Sequence, residues 1–246
     1  MKRHLDLFSG LGGFALASEA CGYETIAFVE CDPFCHKVLA RHWPGVPIFP
    51  DVRKFAGDDE HGKIDLITAG VPCQPASIGA APGGRGGVDD ERWLWGDAIR
   101  IIGALRPRYA LLENPTGLLS VDGGRGFAGI LSDIYSIGFD VWWENIPARA
   151  VGAPHNRERI WLLLADPDRQ PIQRVESEPQ ASTNRRPPRL QGRTGGTRIW
   201  NPVPAFQIEP DVGRVASRVP DRIHRLKALG NAICPHIAYN ILKRLP

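Results

Sequence analysis

Apolar positions in the first half of the chain fall into short runs that alternate with helical patterns. "HLDLF" (His4 to Phe8) predicts a strand, "SGLGG" a tight glycine turn, and "FALASEACG" a helix closed by Gly22. "ETIAFVE" predicts a second strand ending at Glu30, and "DPFCHKVLARHW" a second helix. That helix has Asp32 as N-cap and Pro33 at its first position. A short strand, "VPIF", precedes Asp51, and "KIDLITAGV" reads as a buried strand. "DDERWLWGDAIRIIGALRP" predicts a helix stopped by Pro107, its apolar face made by Trp93, Ala98, Ile101, Ile102 and Leu105. "RYALLEN" is the next strand and "FAGILSDIYSIG" a helix ending at Gly138. "FDVWWENI" and "RIWLLLAD" read as two late strands, a hairpin with a long connection.

This rhythm predicts an α/β fold: a doubly wound, mostly parallel sheet with helices on both faces. From Pro167 to Pro220 the pattern changes. Nine prolines, many arginines and few long apolar runs make a loop-rich segment, either a small recognition region or a linker. Order returns in "PDRIHRLKALGNAICPHIAYNILKRL", a short helix ending near Gly230 and a last helix opened by Pro235. The expected division is therefore residues 1–166, a recognition region at 167–220, and C-terminal helices at 221–246 that return to the first unit.

Charge matters through its placement rather than its sum. The net charge is only +3, but 24 of the 30 basic residues are arginines. Pro179 to Trp200 holds Arg185, Arg186, Arg189, Arg193 and Arg198 and no acid. Arginine forks match phosphates and guanine edges; a solvated linker is the plain alternative. Five cysteines without a C-x-x-C pair disfavour a disulfide framework or zinc site and predict a reducing cytoplasm and no metal. No apolar run approaches 18 residues and the N-terminus lacks the features of a signal peptide, so no membrane association is expected.

Two constellations carry candidate chemistry. Gly10, Gly12 and Gly13 open a helix after the first strand, and Glu30 closes the second. A carboxylate in that place suits ribose hydroxyls. The spacing is not G-x-G-x-x-G, so an adenosine ligand without a pyrophosphate fits, with S-adenosylmethionine the leading candidate. Packing glycines and a solvated glutamate are the alternative. Asp51 could accept from an adenine amino group or be a surface aspartate. The second constellation centres on Cys73, held between Pro72 and Pro75 in "LITAGVPCQPAS" at the end of the fourth strand. Glu113 and Asn114 end the fifth strand, so thiol and carboxyl would face one crevice.

Taken in order, "DLFSGLGGF", "VECD", "GVPCQPAS", "LLENP", "PHNRERIW" and "LGNAI" resemble the ordered motifs of the DNA (cytosine-5)-methyltransferases, and of their compact phage or prophage members in particular. The resemblance implies a Rossmann-like, S-adenosylmethionine-dependent fold and methylation of carbon 5 of cytosine in double-stranded DNA. It makes Cys73 the nucleophile that adds to carbon 6 of a flipped-out base. Glu113 would hold the ring nitrogen and exocyclic amine, one of Arg157 and Arg159 would steady the flipped base and the carboxylate and the other the pocket around it, and Asn114 would orient its loop. It assigns Phe8, Gly10, Gly12, Glu30, Cys31, Asp51 and Asn231 to the cofactor, and Gln74, Ser77, Arg85, Arg185 and Arg186 to DNA. "GAAPGGRGGVDDER", Gly79 to Arg92, corresponds to the family's mobile loop. It also implies a cytoplasmic setting in a bacterial or phage-infected cell, and allows a cognate restriction enzyme as partner. His155 and Pro115 stand where the family usually has Gln and Val. A tRNA methyltransferase of the same fold is an alternative, disfavoured by the lack of that branch's Cys-Phe-Thr stretch. A non-catalytic DNA-binding relative is another, disfavoured by the intact PCQ and Glu113.

Overall fold

The chain is described by a computed structural model covering residues 1–56, 63–72, 93–169 and 222–246. Seven strands form one sheet: β1 (Lys2–Leu7), β2 (Tyr23–Val29), β3 (Ile48–Phe49), β4 (Leu66–Gly70), β5 (Tyr109–Pro115), β6 (Asp140–Pro147) and β7 (Glu158–Ala165). Their order is β3-β2-β1-β4-β5-β7-β6. Pairing is parallel from β3 to β5, whereas β7 runs antiparallel to both β5 and β6. The order turns about β1, so the sheet is doubly wound as the alternating pattern predicts, and β6 and β7 form the late hairpin.

Among the described residues, six α-helices cover the faces: α1 (Gly13–Ala20), α2 (Pro33–His42), α3 (Trp95–Leu105), α4 (Arg125–Ser136), α5 (Arg222–Asn231) and α6 (Pro235–Leu242). One face buries Leu5, Leu7, Ile67, Ala69 and Leu112 against Ile101 and Ile102 of α3 and Ile130 and Ile134 of α4. The other buries Leu66, Leu111 and Trp161 against Phe14 and Ala17 of α1 and Ile237 and Leu242 of α6. With both faces covered, the central strands are almost wholly buried, as parallel sheets require.

Asp32 caps α2, its carboxylate accepting from the Phe34 amide, and Pro33 occupies the first turn, as predicted. Two boundaries differ from the sequence reading. Helix α3 starts only at Trp95, with Asp97 in its first turn. Trp93 therefore precedes the helix and still packs against the core, while residues 89–92 lie outside the described ones. β5 continues through Pro115 into a kinked 3-10 segment, Thr116–Gly124, that the turn residues did not signal.

At the rim opposite the carboxyl ends of the parallel strands, Arg106 closes α3 in the left-handed region, with φ 45°. Its guanidinium donates to Ile137 O at 2.6 Å and to Asp166 Oδ1 at 2.7 Å. Arg169 donates to Ile64 O and Asp65 nearby. These bonds anchor the chain at the far end of β7, where it leaves the sheet.

Candidate active site

The carboxyl ends of β1 and β2 build the first half of the site. Gly10 and Gly12 have φ of 54° and 81°, a region that favours glycine. The two are not equivalent. A Cβ on Gly12 would lie 2.5 Å from the Trp43 ring, whereas one on Gly10 would meet nothing within 4 Å among the described residues. Gly12 is a packing contact, and Gly10 faces open space where a ligand can approach the backbone.

Glu30 is bound to the turn it was expected to serve. Its Oε2 accepts from the Gly10 amide at 2.7 Å and its Oε1 from the Asp32 amide at 2.8 Å. Each carboxylate oxygen has a second acceptor direction. Glu30 therefore stays oriented by backbone, with the Cys31 thiol also within reach, and keeps acceptor capacity for a ribose hydroxyl. Asp51 accepts from the Arg53 amide at 3.0 Å through one oxygen. Phe8 has φ of 54° and packs partly buried against the core. Cys31 is exposed at the entry to α2, and Asn231 is exposed at the end of α5.

The carboxyl ends of β4 and β5, with the start of β7, build the second half. Register pairs Gly70 with Glu113, and Pro115 with Arg159. Glu113 is 5% exposed. Arg159 Nε lies 3.0 Å from Glu113 Oε1, an ion pair, and among the described residues neither atom has a further hydrogen-bond partner. Burial pushes the Glu113 carboxyl up to about 7; Arg159 and Arg157 oppose the rise. Glu113 thus titrates near neutrality and can hold a proton for a substrate. Asn114 is fully buried and donates through Nδ2 to Val71 O at 2.8 Å, which fixes the backbone leading to Pro72.

The two arginines divide their work. Arg159 takes the carboxylate, while Arg157 donates to Gly230 O at 2.6 Å. Burial lowers the Arg157 pKa, with Arg159 adding to the effect. Helix α5 thereby touches both halves. Lys227 Nζ lies 3.4 Å from Asp32 Oδ2, and His224 stacks on Phe34 at 6.0 Å, both at the start of α2. Ile233, just beyond α5, would lie 3.0 Å from a Cβ on Gly13, so "LGNAI" closes over the glycine turn.

The sequence reading missed one group here: His4 and Asp6 of β1, Thr25 of β2 and Thr68 of β4, joined by buried hydrogen bonds. A polar residue at alternate positions of β1 was the available signal. Cys73, Gln74, Ser77, Arg85, Arg185 and Arg186 lie outside the described residues.

The sequence matches the model of the family described as C-5 cytosine-specific DNA methylase over residues 2–213. It is 32% identical over 183 residues to the type II methyltransferase M2.BsuMI of Bacillus subtilis, covering 71% of this chain and 46% of that protein. It is 31% identical over 162 residues to the type II methyltransferase M.HgiBI of Herpetosiphon aurantiacus, covering 65% and 36%. The chain spans about half or less of the length of these curated relatives. Among solved structures, the Dnmt2 methyltransferase of S. pombe superposes with a TM-score of 0.54 at 18% identity, over 67% of this chain and 51% of that one. That likeness shows the fold.

Proposed function

Because the chain belongs to the C-5 cytosine-specific DNA methylase family, we propose that it methylates carbon 5 of cytosine in double-stranded DNA. S-adenosylmethionine, when bound, supplies the methyl group and leaves as S-adenosylhomocysteine. Gly10, Glu30, Asp51 and Asn231 are the residues that would hold it, with Phe8, Gly12 and Cys31 shaping the pocket. The open space over Gly10 and the spare acceptor directions of Glu30 fit an adenosine ligand.

The observation that carries the reading is Glu113. A carboxyl buried to 5% exposure and raised to about 7 stands at the end of β5, beside the strand that leads to Cys73. Carbon 5 of cytosine is a poor nucleophile. In the proposed reaction the Cys73 thiolate adds to carbon 6 of a base swung out of the duplex, and electron density moves through the ring toward nitrogen 3. Glu113 gives its proton to nitrogen 3 as that charge develops, and its other oxygen accepts from the exocyclic amine. Carbon 5, now enamine-like, takes the methyl group. Loss of the carbon-5 proton to water then expels the thiolate, and nitrogen 3 returns its proton to the Glu113 carboxylate, which restores the neutral ring and the acid. Arg159 holds the Glu113 carboxylate once its proton is given up. Pulling the base from the stack takes a few kcal/mol, and Arg85, Gln74 and Ser77 are proposed to meet the opened duplex. Arg185 and Arg186 are proposed to contact phosphates.

Duplex DNA carrying 5-fluorocytosine tests the chemistry, because fluorine cannot leave as the proton does. With S-adenosylmethionine the protein should form a covalent DNA adduct stable to denaturation, and Cys73→Ala should form none. Methyl transfer to ordinary duplex DNA without any adduct on the fluorinated duplex would refute thiolate addition.

A further inference from the structure

Four polar side chains run across three central strands beneath the glycine turn. Thr25 of β2 and His4 Nδ1 are 3.0 Å apart, His4 Nε2 and Thr68 Oγ1 of β4 are 2.7 Å apart, and Thr68 Oγ1 donates to Asp6 Oδ1 at 2.8 Å. All four are buried. With Thr68 as the donor to Asp6, the remaining proton positions follow. Thr68 has one hydroxyl proton and gives it to Asp6, so its oxygen accepts from His4. His4 is then the neutral Nε2–H tautomer, and Nδ1 accepts from the Thr25 hydroxyl. Burial supports a neutral ring, since it lowers the His4 pKa to about 3.

The chain ends under the cofactor turn. The Asp6 carbonyl accepts from Ser9 Oγ at 2.7 Å, and Ser9 O in turn accepts from the Gly12 amide at 2.8 Å. Burial pushes the Asp6 carboxyl up to about 8, with Glu30 adding to the rise and the Thr68 hydroxyl and the Ala15 amide opposing it. Its Oδ2 makes no hydrogen bond of ordinary geometry among the described residues. Apolar side chains would fill this covered face without the cost of burying polar groups. The three bonds that join Thr25, His4, Thr68 and Asp6 tie β2, β1 and β4 in one arrangement, whereas apolar packing tolerates several.

We propose that Asp6 and Thr68 are positioning residues, held by His4 and Thr25, that fix the glycine turn for the methyl donor relative to β4, the strand that delivers Cys73. The proposal rests on the reaction proposed above. It does not follow from the family motifs, which contain Asp6 but neither His4 nor Thr68.

The test compares wild type with Thr68→Val, which keeps the shape and removes the hydroxyl, and Thr68→Ser, which restores it. S-adenosylhomocysteine binding is measured by calorimetry, methyl transfer in single turnover on duplex DNA, and the His4 ring by nitrogen-15 spectroscopy. Thr68→Val unmakes two buried hydrogen bonds and should weaken S-adenosylhomocysteine about tenfold or more, and slow transfer. Thr68→Ser should stay within about twofold of wild type in both. Equal binding by Thr68→Val, or equal impairment of both variants, overturns the proposal. Should Thr68→Val not fold, wild type alone decides: His4 must be the Nε2–H tautomer and its ring signals must shift when S-adenosylhomocysteine binds. The opposite tautomer, a charged ring or an unchanged signal overturns the proposal. A wild type that passes the binding and spectroscopic arms but methylates no DNA refutes the proposed reaction and leaves the positioning role standing.

Discussion

Gly12→Ala sets two physical penalties at one position, and they can be separated. At φ 81° an alanine carries the left-handed penalty, about 1 to 2 kcal/mol. Its Cβ would also lie 2.5 Å from Trp43 Cη2 and Cζ3 and 3.1 Å from Leu39 Cδ2. The ring has little room to move, because Trp43 packs edge-on to Phe28 at 5.3 Å and its indole donates to Glu19 Oε1 at 2.6 Å. Overpacking of this kind costs about 1 to 3 kcal/mol. The expected loss is thus about 2 to 5 kcal/mol, a large part of the roughly 5 to 15 kcal/mol that holds a domain folded. Urea unfolding of Gly12→Ala, Trp43→Phe and the double variant provides the assay. Phenylalanine lacks the outer ring atoms that meet the Cβ. It also leaves a gap and abandons Glu19, so Trp43→Phe alone is destabilised. The double variant should recover about 1 to 3 kcal/mol relative to the sum of the singles. Strict additivity would refute the contact as the reason for glycine here. Gly10→Ala is the contrast: it should lose only the backbone penalty of about 1 to 2 kcal/mol while S-adenosylhomocysteine binding collapses.

Three further outcomes are expected. The ratio of wild-type to Glu113→Gln single-turnover rates should be highest below pH 7 and fall as pH rises through about 7, where Glu113 loses the proton it donates; taking the ratio cancels the titration of Cys73, and a flat ratio counts against the acid role. His4 has a folded pKa of about 3, below its ordinary 6.5, so its contribution to stability is present above pH 6.5 and is lost as pH falls toward 3. The full effect is roughly 5 kcal/mol, and His4→Gln should flatten the acid side of the urea-midpoint profile. Arg106→Ala leaves the buried Asp166 carboxylate without its cation, and unfolding experiments should show a loss of about 3 kcal/mol, with S-adenosylhomocysteine affinity unchanged.

Local signals made the outline of this fold legible before the structure. The glycine turn, the Asp32-Pro33 start of α2 and the apolar runs are set by neighbours in sequence, and they appear where expected. Glu30 and Glu113 were identifiable because acids that end buried strands have few structural reasons to be there. What stayed hidden depends on contacts between distant residues. "HLDL" alternates, the pattern of a strand with one wet face, yet helices cover both faces of β1. His4 and Asp6 therefore had to find partners on β2 and β4 rather than water, and no spacing along the chain encodes that. Nor did sequence distinguish the arginines. Arg159 reaches Glu113 because β7 pairs with β5, while Arg157 is drawn to a carbonyl of α5 some seventy residues away.

The reversal of β7 has a further consequence for how such a protein can diversify. A parallel strand brings its last residues to this edge of the sheet, but β7 brings its first, so everything after Arg159 recedes from the Glu113 carboxyl. The chain quits the sheet at the far rim, clamped by Arg106 and Arg169, and α5 lies against the start of α2. A stretch of sequence inserted or trimmed between those moorings pulls on anchored rims rather than on Glu113 and its guanidinium partner. On the proposed function, DNA contacts such as Arg185 and Arg186 can change there without disturbing Glu113 and Arg159.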